Sequence, residues 1–387
     1  MKLIYVINSP LPNRMAHGSH VVQMCGALAK SGAEVTLVLP PKPGKANEDI
    51  FSYYDIERNF TVKRLPALAF LPYGFPFRFA LAALSFGLFL LIYLLSQPGQ
   101  VIIYCRGEMA LFLKLLPNRF SFFWETHIKP AKIGSYKKVF TRSRGLVVIT
   151  KYYQTELADK FAVPREKILY FPDAVDLSLF KNVNLTKEQL RRELGLPLDK
   201  KIIAYAGKFT TMSQSKGIEN ILISFKNLRQ KYPDIYLLLV GLEPGQVPGM
   251  KKLLGETSGY QLVEYVPLAQ LAKYELAADI LVMNYPDDFH YRYYMSPLKM
   301  FEYMATANPI VTTDLPSIRD ILNERSAVLV APDNLASLSQ GLESLINNPK
   351  LGQDLARQAR QDVEKYTWDQ RAKAIIGFIK ERVANEM

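Results

Sequence analysis

Cysteine is nearly absent from this chain. Its 387 residues include two, Cys25 and Cys105, with no CxxC or Cys/His spacing around them. That excludes the usual sequence basis for a structural zinc site and fits a reduced, cytoplasmic setting. Four histidines leave little scope for a histidine-rich metal cluster, and no metal is expected. A long apolar run at the start is also missing. The opening MKLIYVINSP is too short for a signal-peptide core and reads as a buried first strand. No GxGxxG fingerprint follows it, which argues against a dinucleotide oxidoreductase. Helix-turn-helix, zinc-finger and RNP signatures are lacking, the basic residues are scattered, and nucleic acid is not an expected partner. There is no internal repeat and no low-complexity segment.

What is present is an ordinary globular composition, 49% hydrophobic and 22% charged. At roughly 100–200 residues per domain, the length suggests two domains, each able to bury a core without disulfides. The formal net charge is +12, which favours anionic partners. With nucleic acid set aside, lipid headgroups and a diphosphate ligand remain.

The pattern along the chain is strand, helix, strand. Strands are predicted over 2–8, 34–39, 101–104, 120–124 and 145–149, with a helix over 19–31. The series restarts at 201–206 and continues through 235–240, 261–263, 280–283, 309–312 and 327–330. Repeated β-α units imply parallel sheets covered by helices. The polar, turn-rich stretch 172–193 separates the two series. The expected organisation is an α/β protein with a first domain over 1–175, a second over 176–366, and a C-terminal helix over 367–387. Ligands of such folds bind at the carboxyl ends of the strands. The tail from 350 onward reads as two helices broken at Tyr366-Thr367-Trp368.

One stretch is unusual. Residues 79–95 carry no charge and follow a Pro- and Phe-rich segment, 67–77. Seventeen apolar residues sit at the short edge for a membrane span. Three readings remain: a spanning helix, a helix lying in a membrane interface, and an ordinary buried helix. The basic balance favours the interface, with Phe86, Phe89 and Leu90 expected to face lipid.

The densest chemistry is Ser296-Pro-Leu-Lys-Met-Phe-Glu-Tyr-Met-Ala305. It reads as a helix start with Pro297 near the first turn, where free backbone N–H groups can hold a diphosphate and Glu302 can accept from ribose hydroxyls. The bland reading is a capped amphipathic helix with a surface glutamate. Ala206-Gly207-Lys208-Phe209, followed by Lys216-Gly217, places a tight turn and two lysines after a strand. They are suited to a leaving diphosphate or are merely solvated. His17-Gly18-Ser19-His20 opens the first helix, and Glu125-Thr126-His127 follows a strand and stands at its carboxyl end.

Taken in order, these segments resemble family 4 (group 1) retaining glycosyltransferases with the GT-B fold. Ile149-Thr-Lys, Phe171-Pro-Asp-Ala-Val-Asp176 and Tyr366-Thr-Trp368 fall at the family's remaining landmarks. The resemblance covers nearly the whole chain. It implies two Rossmann-like domains facing across a cleft, with the last helix crossing back to the first domain. It also implies a nucleotide-sugar donor, a UDP-hexose such as UDP-glucose by family frequency, and turnover without a metal. In the roles it implies, Lys208 and Lys216 hold the donor diphosphate beside Gly207, and Glu302 holds the ribose. The backbone of Leu298 and Lys299, with Pro297 and the Ser296 hydroxyl, meets the distal phosphate. Tyr265 and Val266 border the nucleobase. Gly18 lies beside the phosphates and His127 near the sugar, with His17, His20 and Glu125 on the acceptor side.

One departure stands out. Tyr294 occupies the place of the first of the family's two glutamates, and a phenol cannot act as a carboxylate. A GT-B nucleotide-sugar epimerase and a catalytically inactive GT-B subunit partnering another transferase are therefore the competing readings. For a transferase, the acceptor expected is a lipid-linked sugar or polysaccharide at the cytoplasmic membrane face.

Overall fold

The computed structural model describes residues 1–42, 48–68, 77–211 and 214–384. Most of the Pro- and Phe-rich segment, at 69–76, lies outside the described residues, as do 385–387. The chain divides into two compact units: Met1–Asp173 with Trp368–Met387, and Ala174–Thr367.

The first unit is built on a seven-stranded parallel sheet. Its strands are β1 (Lys2–Val6), β2 (Glu34–Leu39), β3 (Thr61–Arg64), β4 (Ile102–Arg106), β5 (Ser121–Thr126), β6 (Gly145–Val148) and β7 (Ile168–Tyr170), in the order β3-β2-β1-β4-β5-β6-β7. The central strands are apolar on both faces, as a sheet covered by helices requires. Leu3, Tyr5, Ile103, Phe122, Phe123 and Val147 are all buried. The edges differ. β3 reads Thr-Val-Lys-Arg and alternates between exposed and partly buried positions. β7 has three residues. Short or charged edge strands are a common way to blunt an edge, and β3, with one apolar residue in four, gives no apolar run for sequence reading to detect.

The second unit repeats the plan with six strands. After β8 (Lys201–Ala206) comes a two-residue antiparallel ladder, β9 (Thr210–Thr211) with β10 (Gln214–Ser215). The sheet continues with β11 (Ile235–Leu242), β12 (Tyr260–Glu264), β13 (Ile280–Met283), β14 (Ile310–Thr313) and β15 (Val328–Val330), in the order β12-β11-β8-β13-β14-β15. Alternate residues of each strand feed the two cores on either face. Ile202, Ala204, Leu238 and Val240 point to one, and Ile203, Tyr205, Leu237 and Leu239 to the other. This is the period of two expected of a strand buried on both sides. In each sheet the strand order reverses at its first strand, between β1 and β4 and between β8 and β13. Such switch points open crevices at the carboxyl ends of the strands.

The tail is two helices, Pro349–Asp362 and Trp368–Ala384, separated by a short turn. The final helix belongs to the first unit. It buries Ala372, Ile375 and Ile379, and Phe378 meets Phe123 edge-on at 5.9 Å between centroids. Gly145 is needed there, because a Cβ on it would lie 2.5 Å from the Phe378 ring.

The apolar stretch forms the helix Arg78–Leu95. Phe86, Gly87, Leu90 and Leu94 are buried at a helical repeat. Phe79, Leu84, Leu88, Ile92 and Leu95 are exposed. Two of the residues expected to face lipid, Phe86 and Leu90, are therefore core, and only Phe89 of that trio is exposed. The spacing of three and four carries the outer face through 84, 88 and 92 instead. By length and composition this helix could cross a membrane, yet 22% of it is buried inside the unit.

Candidate functional site

In the second unit the chain leaves β8 into Gly207, whose φ of 108° is open to glycine alone. Gly241, at the end of β11, has φ 100°, and a Cβ on it would lie 3.0 Å from the Gly207 carbonyl group. The two glycines thus let neighbouring strand ends meet closely. Lys208 follows, with its ammonium 3.2 Å from Glu243. Lys216 comes after the small ladder, and its backbone N–H bonds Phe209 O at 2.9 Å. Burial, and then Lys208, lowers the Lys216 pKa to about 8. Gly217 caps the helix Ile218–Lys231 at φ 73°, and an added Cβ would strike Asn284 O at 1.8 Å. Asn284 follows β13 and donates from Nδ2 to Gly217 O at 3.2 Å. The lysine turn is therefore fastened across the switch point.

The helix Leu298–Ala305 opens with Pro297 at its N-cap and no side-chain cap. That leaves its first N–H groups for a ligand. Tyr303, one turn in, accepts from Ala206 N at 2.8 Å and so fixes this helix to the end of β8. Glu302 is raised to about 7 by burial, against the pull of Lys299. The Lys299 side chain folds back beside Gly207, so that a Cβ there would lie 3.2 Å from both Cε and Nζ. Glu275, on the helix Leu268–Ala277, is fully buried, and its pKa is raised well above normal by burial and by Glu302. Ser296 and Tyr294 are buried, Val266 is half-buried and Tyr265 is exposed at the end of β12. The turn after β8, with Gly207 and Lys208, the loop residue Lys216, and the Leu298–Ala305 helix, with Lys299 and Glu302, thus meet in one region of the unit.

The first unit holds a buried ionic network. Arg106 ends β4 and forks between two histidines, with Nη1 2.8 Å from His20 Nδ1 and Nη2 3.0 Å from His127 Nδ1. Arginine only donates, so both Nδ1 atoms accept and the ring protons lie on Nε2. His127 Nε2 meets Glu125, and His20 Nε2 lies 3.1 Å from Asp173. Burial and then Arg106 lower the pKa of His127, and they hold His20 at about 3. Both rings are neutral at ordinary pH. Half-buried His17 is likewise held at about 3. Glu125 also accepts from Tyr104 Oη at 2.5 Å and from Arg371 Nη2 at 3.0 Å. Burial opposes its ionisation, but Arg371, His20 and His127 keep it well below the usual carboxylate range. Arg371, fully buried on the last helix, also donates to Pro172 O at 3.0 Å.

Two sequence expectations change here. Glu125 is 0% exposed and His20 1%, so neither is open to an acceptor; Glu125 holds His127 directly, and His20 meets Arg106 and Asp173. Gly18 also has a packing reason. A Cβ on it would come 2.2 Å from Tyr54 Oη, which itself bonds Asn13 on both backbone groups. Arg106, Asp173, Arg371, Asn284 and Glu275 were not anticipated. Two left traces: Arg106 is a charge closing an apolar strand, and Glu275 falls on the apolar stripe of its helix. Among the described residues, His20, His127 and Asp173 present ligand-type atoms within 4.8 Å of one another. Arg106 already occupies an imidazole nitrogen of each ring, and Arg371 adds a second cation, which makes this a poor donor set for a divalent ion.

Two doubly wound sheets of this order, with basic and carboxylate groups at the strand ends of the second, define a GT-B protein. Comparison with known proteins agrees. Residues 186–362 match the family described as "Glycosyl transferases group 1". The second unit therefore carries a match to the group 1 glycosyltransferase family over most of its length. It is similar to TuaC of Bacillus subtilis (strain 168), whose name makes it a glycosyltransferase of teichuronic acid biosynthesis. The two are 25% identical over 226 residues, 56% of this chain and 53% of TuaC. The chain thus spans about half the length of that relative. Its fold is that of sucrose-phosphate synthase from Thermosynechococcus elongatus, with a TM-score of 0.77 at 17% identity over 99% of both chains. Anabaena Alr3699/HepE, solved in complex with UDP-glucose, superposes with a TM-score of 0.70 at 14% identity over 97% of this chain and 99% of that one.

Proposed function

We propose that the protein is a retaining glycosyltransferase that moves a hexose from a UDP-linked donor to a lipid-linked or polysaccharide acceptor at the cytoplasmic face of the membrane. The observation that carries this reading is the gathering of Gly207, Lys208, Lys216 and Glu302 at the strand ends of the family-matched unit. Glu302 receives the ribose hydroxyls. Lys208, Lys216 and the N–H groups at the start of the Leu298–Ala305 helix stabilise the charge that develops on the departing diphosphate, each by several kcal/mol when pre-positioned. The acceptor hydroxyl attacks the anomeric carbon from the leaving-group side. The glycosidic bond forms as the sugar–phosphate bond breaks, and the hydroxyl proton passes to the diphosphate oxygen. The UDP-glucose complex of Alr3699/HepE supports the donor, and the naming of TuaC supports a polysaccharide setting.

A thermal-shift screen against UDP, GDP, ADP and their sugar conjugates tests the donor. A ligand at about 100 times its Kd stabilises by roughly 2.7 kcal/mol. The expected result is a shift with the uridine series that Lys216→Ala and Glu302→Ala abolish. A shift with no nucleotide would leave the inactive-subunit reading, which Tyr294 favours. Turnover is expected to need no metal, because the lysines carry the leaving-group charge. EDTA then leaves activity intact, and inhibition reversed by Mg²⁺ or Mn²⁺ counts against the mechanism.

A further inference from the structure

Lys299 is not explained by its helix. It is 7% exposed, and its Nζ has no hydrogen-bond partner among the described residues. It lies 3.4 Å from the centroid of the Tyr205 ring and against Gly207, where a Cβ would sit 3.2 Å from Nζ. Lys216 stands close enough to repel it. A cation over an aromatic face is favourable, but a buried ammonium without an acceptor is costly. Two carboxyls lie nearby. Glu302 is one turn along the same helix. Glu275 is 0% exposed, and neither of its oxygens has a hydrogen-bond partner among the described residues. Among the described residues, neither carboxyl comes within hydrogen-bonding distance of the Lys299 ammonium. A buried amine thus lies beside Gly207 and near Lys216, on the first turn of the Leu298–Ala305 helix, with no hydrogen-bonded anion among the described residues.

We infer that the side chain of Lys299 is a third diphosphate ligand, which binds the donor's phosphates beside Gly207 and takes up a proton as it does so. This rests on the donor reading above and adds to it a residue and a proton count. In the free protein, burial and Lys216 push the Lys299 ammonium well down, against Glu302 and Glu275. An arriving diphosphate reverses the balance, since an anion in contact favours the charged amine. The other ionisable groups around it are Lys208 and Lys216 from the turn after β8, Glu275 from its helix, and Glu302 with Tyr303 from its own. Tyr205 lies beneath, and Tyr285 follows β13. Lys216, at about 8, and Glu302, at about 7, also gain fractional protons near an anion. Substituting Lys299 removes its own share and also lifts its pull on Glu302, so the proton count is read together with the affinity.

The test is calorimetric titration of the full chain with UDP and with uridine, at about pH 8, where the terminal phosphate is fully ionised. Two buffers of different ionisation enthalpy give the protons exchanged. Wild-type protein is expected to take up protons with UDP and none with uridine. Lys299→Met is expected to weaken UDP about tenfold or more, as loss of a charge-assisted hydrogen bond does. It should lower the proton count and leave uridine affinity unchanged. Equal UDP affinity in wild type and Lys299→Met overturns the inference while the donor reading stands on Lys216→Ala. Equal losses for UDP and uridine assign Lys299 a structural role and also overturn it. Should Lys299→Met fail to fold, Lys299→Gln takes its place in the same comparison, and zero proton uptake by the wild type with UDP refutes the inference by itself. No UDP binding by the wild type sinks both.

Discussion

Glu125 shows what a single side chain can organise. It accepts from Tyr104, His127 and Arg371 at once, and each of these comes from a different element. Breaking a buried pair by removing one partner strands a charge and costs about 3–5 kcal/mol. Arg371→Met is therefore expected to destabilise the first unit by that amount. The only two tryptophans, Trp124 and Trp368, both lie in this unit, so denaturation followed by their fluorescence reads it alone. A loss below about 1 kcal/mol would mean that the network contributes little. The residues proposed to hold the donor stand out in the sequence because their motifs are local: a strand, a glycine and a lysine, or a proline, a helix and a glutamate. Arg371 was not. Its partners lie at Met24, Glu125 and Pro172, and nothing near it in sequence marks an arginine that will be buried.

At the level of elements, hydrophobic runs found the strands buried on both faces and missed β3 and β7, the two edges of the first sheet. β3, Thr-Val-Lys-Arg, has one apolar position in four, too few to register, whereas β7, at three residues, is no shorter than β15, which the sequence did mark. The same limit affected the Arg78–Leu95 helix. Its composition is apolar all round, so the sequence contains no period from which to tell the outer face from the inner. In the structure that outer face is Phe79, Leu84, Leu88 and Ile92. We propose that this face sits in a membrane interface, reversibly, as a single weak anchor does. Leu84, Leu88 and Ile92 changed together to Ser should abolish co-sedimentation with anionic vesicles and leave the melting temperature unchanged. Wild-type protein that stays in the supernatant removes the interface from the account.

For the whole molecule, acid acts on one unit more than the other. His20 is held at about 3 in the folded state, against about 6.5 in an unfolded chain. The unfolded state therefore binds more protons between those values, and stability falls as pH drops below about 6.5. The slope from His20 alone is about 1.4 kcal/mol per pH unit. Asp173, at about 2, and Glu125, held low, act in the same sense below about pH 4. Tryptophan-detected urea midpoints should fall steadily from pH 7 to pH 5. A flat profile would place charged histidines in the folded state.

The first unit is split in the chain, and its last helix is made only after the whole of the second unit. When residues 1–173 have emerged, the surface that Ile375, Phe378 and Ile379 will cover is still bare. Glu125 at that stage has His127 and Tyr104 but no arginine. The segment 174–367 is contiguous and can close its own cores first. Multidomain chains commonly complete their domains from the N-terminus onward. Here the order of completion is inverted: the first unit cannot close until the segment that follows the second unit has been made.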